Sequence, residues 1–167
     1  KEAFQFISNS FNMAWALHFS DYVPRIGILV SNQAHCLYDL LARHRMGELR
    51  GQIPIIMSNH PDLEHVADSF GVPFCYLPIN PENKPVQEQL ILDNLEAHQV
   101  DLVVLARYMQ VLSPSLADKY AGRMINIHHS FLPAFAGARP YRQAYQRGVK
   151  IIGATAHYVT AELDQGP

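Results

Sequence analysis

The sequence predicts an α/β fold, a mostly parallel twisted sheet with helices on both faces, preceded by the tail of a small α+β unit. Three observations carry this expectation. From Arg25 onward, short apolar runs alternate with amphipathic stretches, the pattern of strand–helix units that build a parallel sheet. Some runs, such as Leu102-Val103-Val104-Leu105-Ala106, are apolar throughout, so both faces of those strands are covered. Apolar residues make up 49% of the 167, enough for a packed core rather than a disordered chain.

Taken in order, Phe4, Ile7 and Phe11 recur at helical spacing. Trp15, Leu17 and Phe19 then alternate with Ala14, Ala16 and His18, which predicts a strand. One helix and one strand bury little between them, and Pro24 after Asp21-Tyr22-Val23 marks a linker. Residues 1–21 are therefore read as the remnant of a preceding domain and residues 22–167 as the main domain. In the main domain, strands are expected at 26–30, 53–57, 72–77, 101–106, 124–128 and 151–159. Pro73 places the third of these near a sheet edge. Helices are expected at 36–45, 62–70, 85–98, 113–120 and 141–147. Pro85 opens the longest of them, with Val86, Leu90, Ile91 and Leu95 as its apolar stripe. Ser113 followed by Pro114 predicts an N-cap and first turn.

Composition excludes several function classes. Thirteen basic against fifteen acidic residues leave a formal charge of −2, unlike a nucleic-acid binder with its basic face. No apolar run approaches the ~20 residues of a membrane span, and no signal-peptide pattern is present. Cys36 and Cys75 form neither a disulfide framework nor a CxxC metal motif, so a reduced, cytoplasmic protein is expected.

In open sheets of this class ligands bind beyond the carboxyl ends of the strands, which directs attention to loops 31–36, 106–113, 128–140 and 159–165. Asn126 and His128 stand two apart at a predicted strand end and so project to one face. Asp164 follows the sixth strand. If strands five and six end close together, an amide donor, an imidazole and a carboxylate meet, the set that acyl transfer or hydrolysis requires. Each has a plainer reading. A strand-end Asn or His alone is more often structural, and Asp164 before Gln165-Gly166-Pro167 fits a turn. A metal site at His128, His129 and His157 is disfavoured, because adjacent strand histidines face opposite ways and no HExxH motif accompanies them. The residues alone support an α/β enzyme acting on a small molecule.

Three ordered blocks then become recognisable. Asn126-Ile127-His128-His129-Ser130-Phe131-Leu132-Pro133, Ala106-Arg107-Tyr108-Met109-Gln110-Val111-Leu112-Ser113-Pro114 and His157-Tyr158-Val159-Thr160-Ala161-Glu162-Leu163-Asp164-Gln165-Gly166-Pro167 together resemble the folate-dependent formyltransferases, whose fold is Rossmann-like. The resemblance implies that Asn126 and His128 hold the formyl oxygen while Asp164 orients and deprotonates an attacking water. It implies a pterin pocket walled on one side by Met109, Gln110, Val111 and Leu112, and on the other by Val159, Thr160 and Leu163. Some transferases carry an arginine where this chain has Gln110.

Within that fold, glycinamide ribonucleotide formyltransferases follow the first strand with a Gly-Ser-Asn-type turn that cradles the acceptor's phosphate. Here Val30-Ser31-Asn32-Gln33-Ala34-His35-Cys36-Leu37 has no glycine, which hinders close backbone approach to a phosphate. This segment is similar to that of the formyltetrahydrofolate deformylases, and it also reads as a helix start capped by Ser or Asn. The deformylase resemblance implies hydrolysis of 10-formyltetrahydrofolate to tetrahydrofolate and formate, in one-carbon and purine metabolism. The folate is then the substrate, and no metal or other cofactor is expected. It further implies that residues 1–21 end an ACT-like regulatory domain, with a possible amino-acid effector and a homo-oligomer. The family's domain also continues beyond Pro167. The alternatives are the glycinamide ribonucleotide transferase and a non-catalytic folate-binding protein.

Overall fold

The computed structural model describes residues 2–17, 19–137 and 139–167. Its six-stranded sheet has the order β3-β2-β1-β4-β5-β6. The strands are β1 (Arg25–Val30), β2 (Gln52–Ser58), β3 (Phe74–Tyr76), β4 (Leu102–Ala106), β5 (Met124–His128) and β6 (Thr155–Tyr158). The helices are α1 (Glu2–Ser10), α2 (His35–Arg45), α3 (Glu64–Phe70), α4 (Lys84–Ala97), α5 (Pro114–Lys119) and α6 (Pro140–Gln146). All pairings are parallel except β5 with β6. The expected α/β architecture is therefore present, with β3 and its preceding proline at an edge.

Alternate residues of the central strands feed two separate cores. Ile26, Ile28 and Val30 of β1 join Leu37 and Leu41 of α2 and Val66 of α3 on one face. Leu29 of β1, Val103 and Leu105 of β4, Ile91 and Leu95 of α4 and Leu116 of α5 form the other. Burial on both faces explains why β1 and β4 read as unbroken apolar runs. Cys36 packs on the first face and Cys75 on the second, and both are free thiols. Pro54 sits inside β2, where pairing with β1 shifts from Arg25↔Gln52 to Gly27↔Ile55. A bulge at the residue that lacks an N–H leaves no donor demanded of it.

Three expectations need correction. The strand predicted around residues 14–19 does not form: Ala14–Leu17 carry no strand, and His18 lies outside the described residues. No described strand lies beside it to supply the ladder, and Trp15 instead packs edge-on against Phe4, with ring centroids 5.1 Å apart. The sixth strand is shorter than 151–159, since Ile151–Ala154 run outside the sheet. On α4 the buried stripe is Glu88, Ile91, Leu92 and Leu95, whereas Val86 and Leu90 face solvent. Spacing of i, i+3, i+4 and i+7 is obeyed, but one member is a carboxylate, which an apolar pattern skips.

Candidate active site

The three residues expected to carry the chemistry converge at the carboxyl end of β5. Because β6 runs antiparallel, Asn126 pairs directly with His157 and His128 with Thr155. The chain leaves β6 beside Ile125, and residues 159–163 double back to bring Asp164 to the strand end. This differs from the expectation that strands five and six finish side by side.

Donor and acceptor chemistry fixes the Asn126 amide. His157 Nδ1 lies 3.0 Å from the carbonyl of Tyr158, which only accepts, so Nδ1 carries the hydrogen. His157 Nε2 is then an acceptor, 3.2 Å from Asn126 Nδ2. One amide N–H is spent there, and the second stays available to the cleft. Nothing in the sequence flagged His157 as the partner of Asn126; cross-strand register was the missing information.

Asp164 is buried, 9% exposed, and adopts a left-handed backbone with φ 58°. Its Oδ2 accepts from the Gly137 amide at 2.9 Å and faces His128 Nδ1 at 3.4 Å. Oδ1 lies 3.8 Å from His157 Nε2. Gly137 has φ 78°, a conformation that suits glycine and aims its N–H at the carboxylate. Two residues beyond Asp164, a Cβ on Gly166 would collide with the Tyr158 carbonyl, so glycine is required where the loop crosses β6. His128 Nε2 is 2.9 Å from the Phe135 carbonyl, so that nitrogen donates and holds the ring edge toward Asp164. Beside it, His129 stacks edge-on to Tyr141 at 5.1 Å. Burial pushes the His129 imidazole below its ordinary value, and the charge of Arg107 pushes the same way.

The segment 107–113 forms the facing wall, and side chains distant in sequence hold it. Met109 N donates to Ser31 Oγ at 2.9 Å, and Ser31 Oγ donates to Asn59 Oδ1 at 2.6 Å. Lys84 Nζ donates to the Val111 carbonyl at 2.5 Å. Ser113 N donates to the buried Glu88 carboxylate at 3.0 Å, while Ser113 Oγ caps α5 by accepting from Leu116 N at 3.3 Å. Burial, with the Glu88 charge, drives the Tyr108 phenol far above its ordinary value, so it stays protonated. The sequence showed the Ser113 cap but gave no sign of Glu88, Lys84 or Asn59.

Between these walls lies a cleft in two adjoining parts. The part of about 220 Å³ is bounded by Arg107, Met109, Gln110, Asn126, His128 and Asp164. A smaller part of about 80 Å³ reaches Leu112, Val159, Thr160 and Leu163. Every one of the ten expected site residues therefore lines one continuous cleft. Met109, Val111 and Leu163 leave large apolar areas exposed at its lip, as a site for a flat aromatic ligand does.

The loop after β1 departs from its expected use as a cap. Helix α2 starts after Ala34, which makes no side-chain cap, and Ser31 is turned inward, 1% exposed, toward Asn59 and Met109. Among the described residues, no three His, Cys, Asp or Glu side chains are grouped as a metal site would be.

This architecture is shared with known proteins. A model of the formyl transferase family matches residues 24–167. The formyltetrahydrofolate deformylase of Synechocystis sp. is 55% identical over 161 residues, which are 96% of this chain and 56% of that relative. The crystal structure of a formyltetrahydrofolate deformylase from Burkholderia mallei superposes with a TM-score of 0.91 at 52% identity, covering 99% of this chain and 59% of that one. Glycinamide ribonucleotide transformylase 1 from Symbiobacterium toebii superposes with a TM-score of 0.80 at 35% identity, covering 92% and 74%. The chain thus spans little more than half the length of the curated relative quoted. Since the family model covers all the sheet and the cleft built on it, the chain belongs to the formyl transferase family.

Proposed function

We propose that this chain carries the catalytic site of a formyltetrahydrofolate deformylase, hydrolysing 10-formyltetrahydrofolate to tetrahydrofolate and formate. The observation that carries this reading is the placement of Asp164, buried between His128 and Gly137 and opening on the same cleft as the Asn126 amide. The relatives' names support it, as do the loop after β1, which has no glycine in its turn, and the inward Ser31 side chain, whose hydroxyl is engaged by Asn59.

In the proposed reaction, the pterin lies between Met109–Leu112 and Val159–Leu163 and presents its formyl carbon to Asp164. Asp164 takes one proton from water as the water oxygen bonds to the formyl carbon. The carbonyl oxygen gains the electron pair, and the free Asn126 N–H, with His128 beside it, stabilises that charge. Asp164 returns the proton to N10 as the C–N bond breaks and the carbonyl re-forms. Formic acid then loses its proton and departs as formate. One water is consumed, and no metal or redox partner enters the balance.

The same reading extends to residues 1–21 as the end of an ACT-like domain, with an amino-acid effector and a homo-oligomer. Supporting it, α1 and the segment after it leave Phe6 78% and Phe11 73% exposed, an apolar face uncovered by the described residues. The free thiols of Cys36 and Cys75 support a reducing, cytoplasmic setting for one-carbon and purine metabolism. No described helix is long and apolar enough to cross a membrane.

The test is formate release from 10-formyltetrahydrofolate by the full-length protein, with and without glycinamide ribonucleotide. Release independent of the amine supports the hydrolase. Turnover only with the amine would make the protein a transferase, and folate binding without turnover would make it a binder.

A further inference from the structure

The cleft contains a cation that the proposed reaction leaves unused. Arg107 follows β4 in a left-handed conformation, φ 62°, which an arginine adopts only at a cost. Its carbonyl is tied to Ser31 N at 3.3 Å, and its side chain borders the cleft with Asn126, His128 and Asp164. The Nε is buried and has no hydrogen-bond partner. Among the described residues, no carboxylate lies within ion-pair distance of the guanidinium. A buried donor on a charged group without a partner is unfavourable, and such groups are ordinarily paired. The pairing group is therefore expected to arrive as a ligand.

The cleft's charge layout says which kind. Asp164, Arg107 and His129 border one cleft, and both the Arg107 and the Asp164 charges reach His129. A small anion formed beside Asp164 is repelled by that carboxylate and attracted by the Arg107 guanidinium in the same cleft. The guanidinium fork matches a carboxylate in its plane, with two parallel N–H donors. We propose that Arg107, with His129 beside it, forms a receptor for a small carboxylate, and that it draws formate away from the reacting centre. This rests on the deformylase reading for the origin of the formate but not for the existence of the site. The folate's own glutamate presents the same chemistry. The orphaned Nε is buried, and a single small anion reaches such a donor more readily than the end of a long, solvated tail, so the smaller anion is the occupant favoured.

The test uses the full-length protein free of folate. Carbon-13-labelled formate is titrated while its linewidth and the imidazole proton signals of His129 are followed by NMR. The wild type should bind formate with millimolar affinity, the scale for one small ion, and shift the His129 signals. Arg107→Gln should weaken formate binding by about 10-fold or more, while Arg107→Lys retains part of it. Arg107→Gly, which suits the left-handed backbone, guards against a folding defect and should behave like Arg107→Gln. A wild type that does not bind formate, or an Arg107→Gly protein that binds it equally well, overturns the proposal. So does a defect seen only as weaker folate binding that disappears with a pteroate lacking the glutamate, because the guanidinium then serves the tail. Formate bound through Arg107 in a protein that hydrolyses no folate would uphold the site and remove the deformylase reading instead.

Discussion

The two walls of the cleft are built on different principles. The 126–128 and 157–164 corner bonds most of its polar groups locally: Asn126 with His157, Asp164 with Gly137, and His128 with Phe135. The 107–113 wall is pinned from outside, by Ser31 at one end and by Lys84 and Glu88 at the other. The corner therefore carries the groups proposed to react, held in position by local hydrogen bonds. The wall carries a shape, maintained by side chains that never face the ligand. Damage to the corner should appear in the rate of chemistry, and damage to the wall in affinity.

The sharpest break in that division is Asp164→Asn. It removes the proposed proton acceptor while keeping an isosteric acceptor oxygen for Gly137, so turnover should fall by ~10³-fold or more. Steady-state formate release checks it. Next is His157→Phe, which withdraws the acceptor that orients Asn126. A misaimed amide should lower kcat by roughly 10–100-fold with little change in KM.

The corner was far more legible in the sequence than the wall. Asn126, His128 and Asp164 lie in compact blocks, and the i, i+2 rule places the first two on one face without any tertiary knowledge. The pairing of Asn126 with His157 was not legible, because it depends on β6 running antiparallel, and a strand's direction leaves no local mark. The wall's supports were hidden for another reason. Ser31 and Met109 are separated by 78 residues, and Glu88 and Ser113 by 25. Glu88 occupies a core position on α4 that hydrophobic periodicity discards. Ser31 resembled a helix cap because caps and buried donors draw on the same residue types. The fold was read well where β1 and β4 are apolar on both faces. It was misread at Ala14–Leu17, where alternation had no neighbouring strand among the described residues to pair with.

Glu88→Ala sharpens the comparison from the wall's side. Losing a buried acceptor leaves the Ser113 N–H unsatisfied, worth about 1–3 kcal/mol, and loosens the wall proposed to hold the pterin. KM should rise by about 10-fold, with kcat changed far less, and Glu88→Gln should restore most of the loss by keeping an acceptor oxygen. Steady-state kinetics on the three proteins decide this.

The smallest effect concerns His129, whose folded value lies below the ordinary 6.5 because of burial and Arg107. Below about pH 6.5 the unfolded chain binds a proton that the folded chain resists, so stability is full above that value and declines as pH falls. The melting temperature should therefore drop more between about pH 7.5 and pH 5.5 in the wild type than in His129→Gln. Equal drops would mean that His129 is not the group responsible.

The most direct test of the division is the Kd for tetrahydrofolate of Asp164→Asn and Glu88→Ala, measured side by side by calorimetry. Asp164→Asn should bind within about 3-fold of the wild type and Glu88→Ala about 10-fold more weakly, because Asp164 is proposed to act on the formyl group whereas Glu88 holds the segment proposed to pack on the pterin. Weak binding by Asp164→Asn with intact binding by Glu88→Ala would contradict the account.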